Sequence, residues 1–297
     1  MNCSCCTRRH FLKLSAAAAG MMGFPQILSA GNPAGKQPVL TINVTSRCIF
    51  PFVVIGHEDQ KTFPNPYKNE TDCRFTINSD CSGVNKGVAA VLAGKADIGT
   101  LHRPLTAEEQ AAGIRETRLD SLAYSVIVHK NNPVNELSTE QVLKIFAGRI
   151  RNWKEVGGKD RDILIYRQEC GANYDDLIGQ ALQKAGIAKD PERLKQAVMS
   201  VEITDNQFEK IADLEMAVTM APRFFWDENS KSLKISGIFP SREAEIKGDY
   251  PFLANISLVT RSGALESAQK YLAFMKSPHG RELIEKGLAM DWLRQGF

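Results

Sequence analysis

The chain has 297 residues, of which 37 are Lys or Arg and 34 are Asp or Glu, giving a formal net charge of +3. Three of the basic side chains and none of the acidic ones lie in residues 1–30, so the rest of the chain balances at 34 (37 minus 3) against 34. A neutral chain with interspersed signs gives no electrostatic basis for binding nucleic acid or an anionic membrane, and its roughly 265 residues suffice for two modest domains.

The N-terminal segment has the pattern of a twin-arginine export signal. Arg8 and Arg9 precede Phe-Leu-Lys, an apolar stretch follows over residues 14–24, and small residues lead to Ala30. The apolar stretch is well short of the roughly 20 residues that a membrane span needs. We therefore predict that residues 1–30 are removed after export by the twin-arginine translocase, which carries folded cargo, and that the mature protein is periplasmic.

Strands and helices alternate along the rest of the chain. The predicted strands cover residues 39–44, 74–78, 96–99, 122–129, 162–166, 215–220 and 256–260. The predicted helices cover residues 87–93, 138–146, 174–185, 265–275 and 280–286, and capping boxes begin at Thr106 and Ser138. This alternation predicts an α/β fold with mostly parallel sheets, in which ligands bind at the carboxyl ends of strands. The loops after residues 44, 78, 99 and 166 are therefore the candidate site.

Three sequence blocks resemble the phosphate-type periplasmic solute-binding proteins. They are GKADIG at residues 94–99 with RPLT at residues 103–106, IFAGRIRNWKEVGG at residues 145–158, and FMKSPHG at residues 274–280. Together with shorter matches, the resemblance covers roughly residues 38–295 in order, and the central block is its most specific part.

The resemblance implies a type II periplasmic binding fold, in which two α/β lobes enclose a ligand cleft. Lobe 1 would comprise residues 38–124 and 221–297, and lobe 2 would comprise residues 125–220. In this family a small oxyanion is held by backbone N–H groups, hydroxyls and an arginine fork, and the complex is presented to an inner-membrane permease. We therefore expect a monomeric, non-enzymatic component of an ABC transporter, or the partner of a membrane sensor, that binds an oxyanion and needs no cofactor.

The candidate ligand-binding residues lie in the loops that match the family's binding loops. They are Thr45, Ser46, Arg47, Cys48, Cys81, Ser82, Gly83, His102, Arg103, Arg167, Cys170 and Gly171. We interpret Arg167, at the end of a strand, as the anion fork, whereas Arg47 and Arg103 are either cleft contacts or surface ion pairs. Trp153 and Tyr124 are interpreted as packing residues and not as ligand-stacking ones.

Two departures from the family pattern fall at the cleft. Where the family has Ser-Gly-Thr after the arginine, this chain has Cys170, Gly171 and Ala172, so two hydroxyl donors are missing. Where phosphate binders place an acidic or hydroxyl residue before the Arg-Pro-Leu run, this chain has His102. A neutral imidazole can accept the proton of a monohydrogen anion through one nitrogen, whereas a charged imidazole can only donate.

The cysteines leave two alternative functions open. Cys48, Cys81 and Cys170 lie in three separate candidate loops, and together with His102 they would suit a thiophilic metal or metalloid, taken up or sensed with the same fold. The second alternative is a periplasmic thiol or redox protein, in which one cysteine acts as a nucleophile near His102.

The ordinary interpretation of these cysteines is disulfide bonding. Three of the seven cysteines are removed with the signal, and the four that remain allow three pairings in an oxidising compartment. Cys73 and Cys81 lie at opposite ends of a predicted strand, which is too far apart for a bridge and favours pairing of Cys48 with either of them.

Overall fold

A computed structural model describes residues 39–44, 74–79, 86–168, 172–201, 214–224 and 228–289. Its strands are β1 (Val39–Val44), β2 (Arg74–Ser79), β3 (Ile98–Leu101), β4 (Ile114–His129), β5 (Glu136–Leu137), β6 (Leu164–Gln168), β7 (Val198–Val201), β8 (Ala217–Pro222), β9 (Ser230–Ser232), β10 (Lys234–Ile235) and β11 (Leu253–Arg261). Its helices are α1 (Lys86–Leu92), α2 (Ala107–Ala111), α3 (Thr139–Phe146), α4 (Ala172–Ala185), α5 (Pro191–Ala197), α6 (Arg242–Lys247), α7 (Glu266–Lys276) and α8 (Pro278–Ala289), with a 3₁₀ turn at Trp153–Val156. Among these residues no helix has both the length and the apolar character that crossing a membrane requires.

The strands form one large mixed sheet and one small sheet. The order in the large sheet is β2-β1-β3-β11-β4-β8-β6-β7, with β9 also paired to β4, and β5 pairs with β10 in the small sheet. The pairs at both ends of the large sheet are parallel, whereas β4 and β11 pair antiparallel with all their neighbours. The predicted α/β class is confirmed. The middle of the sheet is antiparallel because its adjacent strands come from distant parts of the chain, not from a local strand–helix–strand unit.

Strand β4 is long enough to belong to both halves of the large sheet, and it pairs with different strands along its first and second parts. Residues 114–123 pair with β11, and residues 124–128 pair with β8. We call β1, β2, β3, β11 and residues 114–123 of β4 the first half-sheet, and β6, β7, β8, β9 and residues 124–129 of β4 the second half-sheet. The sequence predicts only residues 122–129 of this strand, because the preceding IRETRLD is polar and lacks apolar alternation.

Short-range sequence signals agree well with the structure. Thr106 and Ser138 begin α2 and α3 with complete capping boxes, and the predicted strands and helices other than β4 lie within a few residues of the observed ones. Helix α5 is not predicted, although its sequence carries a clear signal. Asp190 accepts the Arg193 N–H at 3.1 Å and Pro191 occupies the first turn, which is a common helix start.

Trp153 and Tyr124 pack in the core, as predicted. Trp153 is 2% exposed, and its Nε1 donates to the carbonyl oxygen of Met216 at 3.0 Å. Tyr124 is buried at the point where β4 changes partner. Neither ring is therefore exposed for stacking on a ligand.

Helix α1 lies in direct backbone contact with β3. A Cβ atom added at Gly87 would lie 2.3 Å from the carbonyl oxygen of Thr100, and one added at Gly99 would lie 2.4 Å from the carbonyl oxygen of Gly87. Only glycine permits such an approach. The contact fixes the strand whose end leads into His102.

Replacing Gly87 by alanine is expected to lower the free energy of unfolding by about 1–3 kcal/mol, because the added methyl group meets backbone that cannot yield unless α1 moves away from β3. Urea denaturation measures this loss. The matched control is Gly179→Ala on α4, where nothing lies within 4 Å of the added Cβ. The control should be neutral or slightly stabilising, since alanine is the better helix former. Equal effects of the two substitutions would contradict the interpretation.

Candidate functional site

The end of β3 faces helix α4 across a cavity of about 170 Å³, which has room for several waters or a small ligand. The walls come from the loop after β3, from α4 and from β11, and include His102, Arg103, Asp176, Leu177, Gln180 and Asn255. Strands β3 and β11 belong to the first half-sheet, whereas α4 follows β6 of the second half-sheet. The cavity therefore lies between the two halves of the protein.

His102 contributes a buried, uncharged imidazole to this cavity. The residue is 5% exposed, and neither ring nitrogen has a hydrogen-bond partner among the described residues. Burial lowers the pKa of His102 to about 3, and the backbone of Asn255 opposes part of this shift. At neutral pH the ring is therefore uncharged, with one nitrogen that can donate a hydrogen bond and one that can accept one.

Arg103 lines the cavity and is held in place by Glu109. Its Nη1 and Nη2 donate to the two carboxylate oxygens of Glu109 at 2.8 and 2.6 Å. Glu109 also accepts the N–H of Thr106 at 2.9 Å, which completes the capping box of α2. The hydrogen bond from Arg103 lowers the pKa of the Glu109 carboxyl. The sequence left Arg103 between a cleft contact and an ion pair, and in the structure it is both.

Helix α4 adds polar side chains that the sequence analysis does not identify. Asp176 and Gln180 are one turn apart and both line the cavity. Burial raises the pKa of Asp176, and the positive charge of Arg103 partly opposes this shift. The four-residue spacing of Asp176 and Gln180, beside the buried Ile178 and Leu182, places both on one side of α4. It identifies them as cavity residues only once the position of α4 relative to β3 is known.

In the sequence, the other predicted site residues lie within strand β6 or follow strands β1, β2 and β6. Strands β1, β2 and β3 are parallel neighbours, so their carboxyl ends lie at one edge of the first half-sheet, where the predicted loops begin. Arg167 lies in β6 and pairs with Ser200 of β7, but its side chain is outside the described part of the protein. Also outside the described residues are Thr45, Ser46, Arg47, Cys48, Cys73, Cys81, Ser82, Gly83, Cys170 and Gly171.

A metal site is not found in the described part of the chain. Within those ranges no group of three or more His, Cys, Asp and Glu side chains is placed to hold a metal ion. Of the residues in the metal hypothesis, only His102 lies inside them, and the three cysteines do not.

Comparison with known sequences decides the family. The sequence model of the PBP superfamily domain matches residues 55–279. The chain belongs to this superfamily. The phosphate-binding protein PstS of Bacillus subtilis (strain 168) is 28% identical over 293 residues, which is 95% of this chain and 88% of that protein. The phosphate-binding protein PstS of Borreliella burgdorferi is 22% identical over 227 residues, which is 73% of this chain and 80% of that protein.

Solved structures agree with this assignment. A putative phosphate ABC transporter substrate-binding protein from Clostridium perfringens, solved with bound phosphate, has a TM-score of 0.69 and 25% identity, covering 84% of this chain and 97% of that chain. An ABC-type phosphate transport receptor from Vibrio cholerae has the same TM-score of 0.69 at 22% identity, with coverage of 84% and 97%. The predicted type II periplasmic binding fold is therefore confirmed.

Proposed function

We propose that this chain is the substrate-binding component of a phosphate ABC transporter, which binds phosphate in the cavity between its two halves and delivers it to a membrane permease. Relatives that align with most of its length are named for phosphate binding or phosphate transport. The observation in this chain that carries the proposal is the buried, uncharged imidazole of His102, which borders the cavity and has no hydrogen-bond partner on either ring nitrogen among the described residues.

The hydrogen-bonding capacity of His102 matches a protonated oxyanion. One ring nitrogen donates and the other accepts, because burial lowers the pKa of His102 to about 3 and keeps it neutral. Monohydrogen phosphate offers a bare oxygen and a hydroxyl to this pair. Sulfate has no proton at neutral pH and would leave the accepting nitrogen buried without a partner, which is unfavourable. Asp176 adds a further acceptor on the α4 wall.

The remaining donors to the anion are proposed from the resemblance. Thr45, Ser46, Ser82 and Gly83 would supply hydroxyls and backbone N–H groups from the edge of the first half-sheet, with Arg47 and Arg103 nearby. Arg167 and Gly171 would supply donors from the second half, following β6. The predicted lobes, residues 38–124 with 221–297 and residues 125–220, would need one change at their boundary: the end of β8 and strand β9 (Ser230–Ser232) pair with β4 in the second half-sheet, so residues 221–232 would belong to the second lobe.

The cellular setting is likewise proposed. Residues 1–30 would direct export through the twin-arginine translocase, and the mature protein would work in the periplasm as a monomer. Its role would be binding without catalysis, for delivery to an ABC permease. We do not propose the thiophilic metal or thiol/redox alternatives, because the relatives named above are phosphate proteins.

The test is calorimetric titration of the mature chain with phosphate, arsenate, sulfate and molybdate at neutral pH. Phosphate and arsenate are expected to bind at micromolar concentrations or below, and sulfate about 100-fold more weakly, since a buried unsatisfied nitrogen costs roughly 1–3 kcal/mol. His102→Phe keeps an aromatic ring, somewhat larger than the imidazole, and removes both nitrogens. It should weaken phosphate binding by about 10-fold or more and narrow the ratio between phosphate and sulfate.

The matched control is His279→Phe, which makes the same change at an exposed position on α8. It is expected to leave both affinities unchanged. The proposal fails if the wild-type chain binds none of the four anions better than millimolar. The role of His102 fails if His102→Phe keeps the wild-type preference for phosphate.

A further inference from the structure

The two half-sheets meet at a single point of β4. Ala123 pairs with Leu253 of β11, and the next residue, Tyr124, pairs with Pro222 of β8. The N–H of Tyr124 donates to the carbonyl oxygen of Phe252 at 2.9 Å. At this point the strand passes from one half of the protein to the other, so rotation of the halves relative to one another must be accommodated here.

A buried carboxylate holds this crossing point. The side chain of Glu245 is fully buried, and its Oε1 accepts the N–H of Ala123 at 2.9 Å and the Nε–H of Arg223 at 2.7 Å. Arg223 directly follows β8, and its own N–H donates to the carbonyl oxygen of Ala123 at 2.9 Å. Oε1 of Glu245 therefore connects two elements: β4, at the residue where it changes partner, and Arg223 at the end of β8 in the second half-sheet.

The helix that carries Glu245 is anchored to the first half-sheet. The hydroxyl of Ser121 in β4 donates to the carbonyl oxygen of Glu245 at 3.3 Å. Arg242, one turn earlier on α6, donates to both carboxylate oxygens of Asp120 in β4 at 3.0 and 2.7 Å and to Glu285 of α8 at 2.9 Å. Helices α6 and α8 thus move with the first half, and the ion pair with Arg223 reaches across to the second.

The charge and burial of this pair make it resistant to distortion. Arg223 is largely buried, and Glu245 has partners for both carboxylate oxygens, since Oε2 faces Nη1 of Arg242 at 3.3 Å. Separating two buried charges takes from each its nearest opposite charge in a medium of low polarity, which is more unfavourable than breaking a surface pair. The crossing point is therefore stiffer than a strand held by backbone hydrogen bonds alone.

We propose that the Glu245–Arg223 pair is a clamp that sets the angle between the two halves, and through that angle the affinity of the cavity for its ligand. The cavity takes His102 and Asn255 from the first half and Asp176 from the second, so their separation depends on this angle. A wider range of angles lowers the populated fraction of the binding-competent arrangement, and the apparent Kd rises in proportion. The affinity readout rests on the proposed phosphate function, whereas the angle itself does not.

The clamp is tested by measuring the distribution of distances between the halves. Fluorophores are attached through non-natural amino acids at two exposed helical positions, Ala111 on α2 and Gln196 on α5, and single-molecule energy transfer is recorded without ligand. Glu245→Gln is expected to broaden the distribution, since the amide cannot neutralise Arg223. The matched control is Glu243→Gln on the same helix, where the side chain is exposed and paired with Lys247. It should leave the width unchanged.

A second variant covers the outcome in which Glu245→Gln does not fold. Arg223→Met removes the cation but leaves Glu245 bound to the N–H of Ala123 and to Arg242, so no buried charge loses all its partners. It should broaden the distance distribution in the same way and raise the apparent Kd for phosphate about 3- to 10-fold, mainly through faster dissociation. Wild-type width in a folded variant of either residue overturns the clamp. If the wild-type protein binds no phosphate, the proposed function fails while the distance distributions still decide the clamp.

Discussion

Trp153→Ala is expected to lower the free energy of unfolding by about 3–5 kcal/mol, which is the range for removing a fully packed large aromatic side chain. The indole is 2% exposed and lies in the main hydrophobic core. Its Nε1 also donates to the carbonyl oxygen of Met216 at 3.0 Å, so truncation leaves both a void and an acceptor without its donor. Because native proteins are stable by only about 5–15 kcal/mol, this is a large part of the total.

Urea denaturation of the purified protein, followed by far-ultraviolet circular dichroism, measures the loss. Trp153→Phe is the informative comparison, because it keeps an aromatic ring in the core while it removes the hydrogen bond to Met216 and part of the buried ring area. We expect it to lose about 1–2 kcal/mol. A loss below 1 kcal/mol for the alanine variant would contradict the assignment of Trp153 to the core.

Acidification is expected to destabilise the protein through His102. Its pKa is about 3 in the folded state, mainly because burial disfavours the charged ring, against 6.5 as the ordinary value. Between these values the unfolded chain binds a proton that the folded chain does not, so stability is fully present above pH 6.5 and falls as the pH falls towards 3. The slope contributed by this one group is about 1.4 kcal/mol per pH unit.

The measurement is the free energy of unfolding at several values between pH 5 and 7.5 for the wild-type chain, His102→Phe and the exposed-site control His279→Phe. Between the ends of this range the wild type and the control should lose about 2 kcal/mol more than His102→Phe does. If the free energy of unfolding depends on pH in the same way for all three proteins, His102 binds its proton equally well in the folded and the unfolded chain. That result would also remove the basis for its proposed role as a proton acceptor.

Local signals made the helices predictable, and the relations between distant segments were not. The capping boxes at Thr106 and Ser138 depend on residues three apart, so sequence alone locates them. The polar first part of β4 becomes a strand only because β11 pairs with it, and no local pattern reports that pairing. In the same way Asp176 joins the cavity because α4 faces β3.

Helix α6 shows why charge pattern misleads at the crossing point. In the sequence REAEIK the apolar residue is expected to be buried and the charged residues exposed. Two adjacent positions have the reverse, because Ile246 is 70% exposed while the Glu245 side chain is fully buried against Arg223 and Ala123. A buried carboxylate is tolerated only with its partners in place, and of these only Arg242 lies on the same helix, whereas Arg223 and Ala123 lie more than twenty residues away.

The central position of β11 in the large sheet has a consequence for the order of events during synthesis. Leu258 of β11 pairs with both Thr100 of β3 and Thr117 of β4, so these two strands remain without their shared neighbour until the chain beyond Arg261 has left the ribosome. Such long sequence separations slow folding. The second half-sheet contains only residues up to Ser232 and is able to assemble while translation continues. We therefore expect the newly made chain to pass through a stage with one half formed and the other open, in which apolar surface of the open half is exposed.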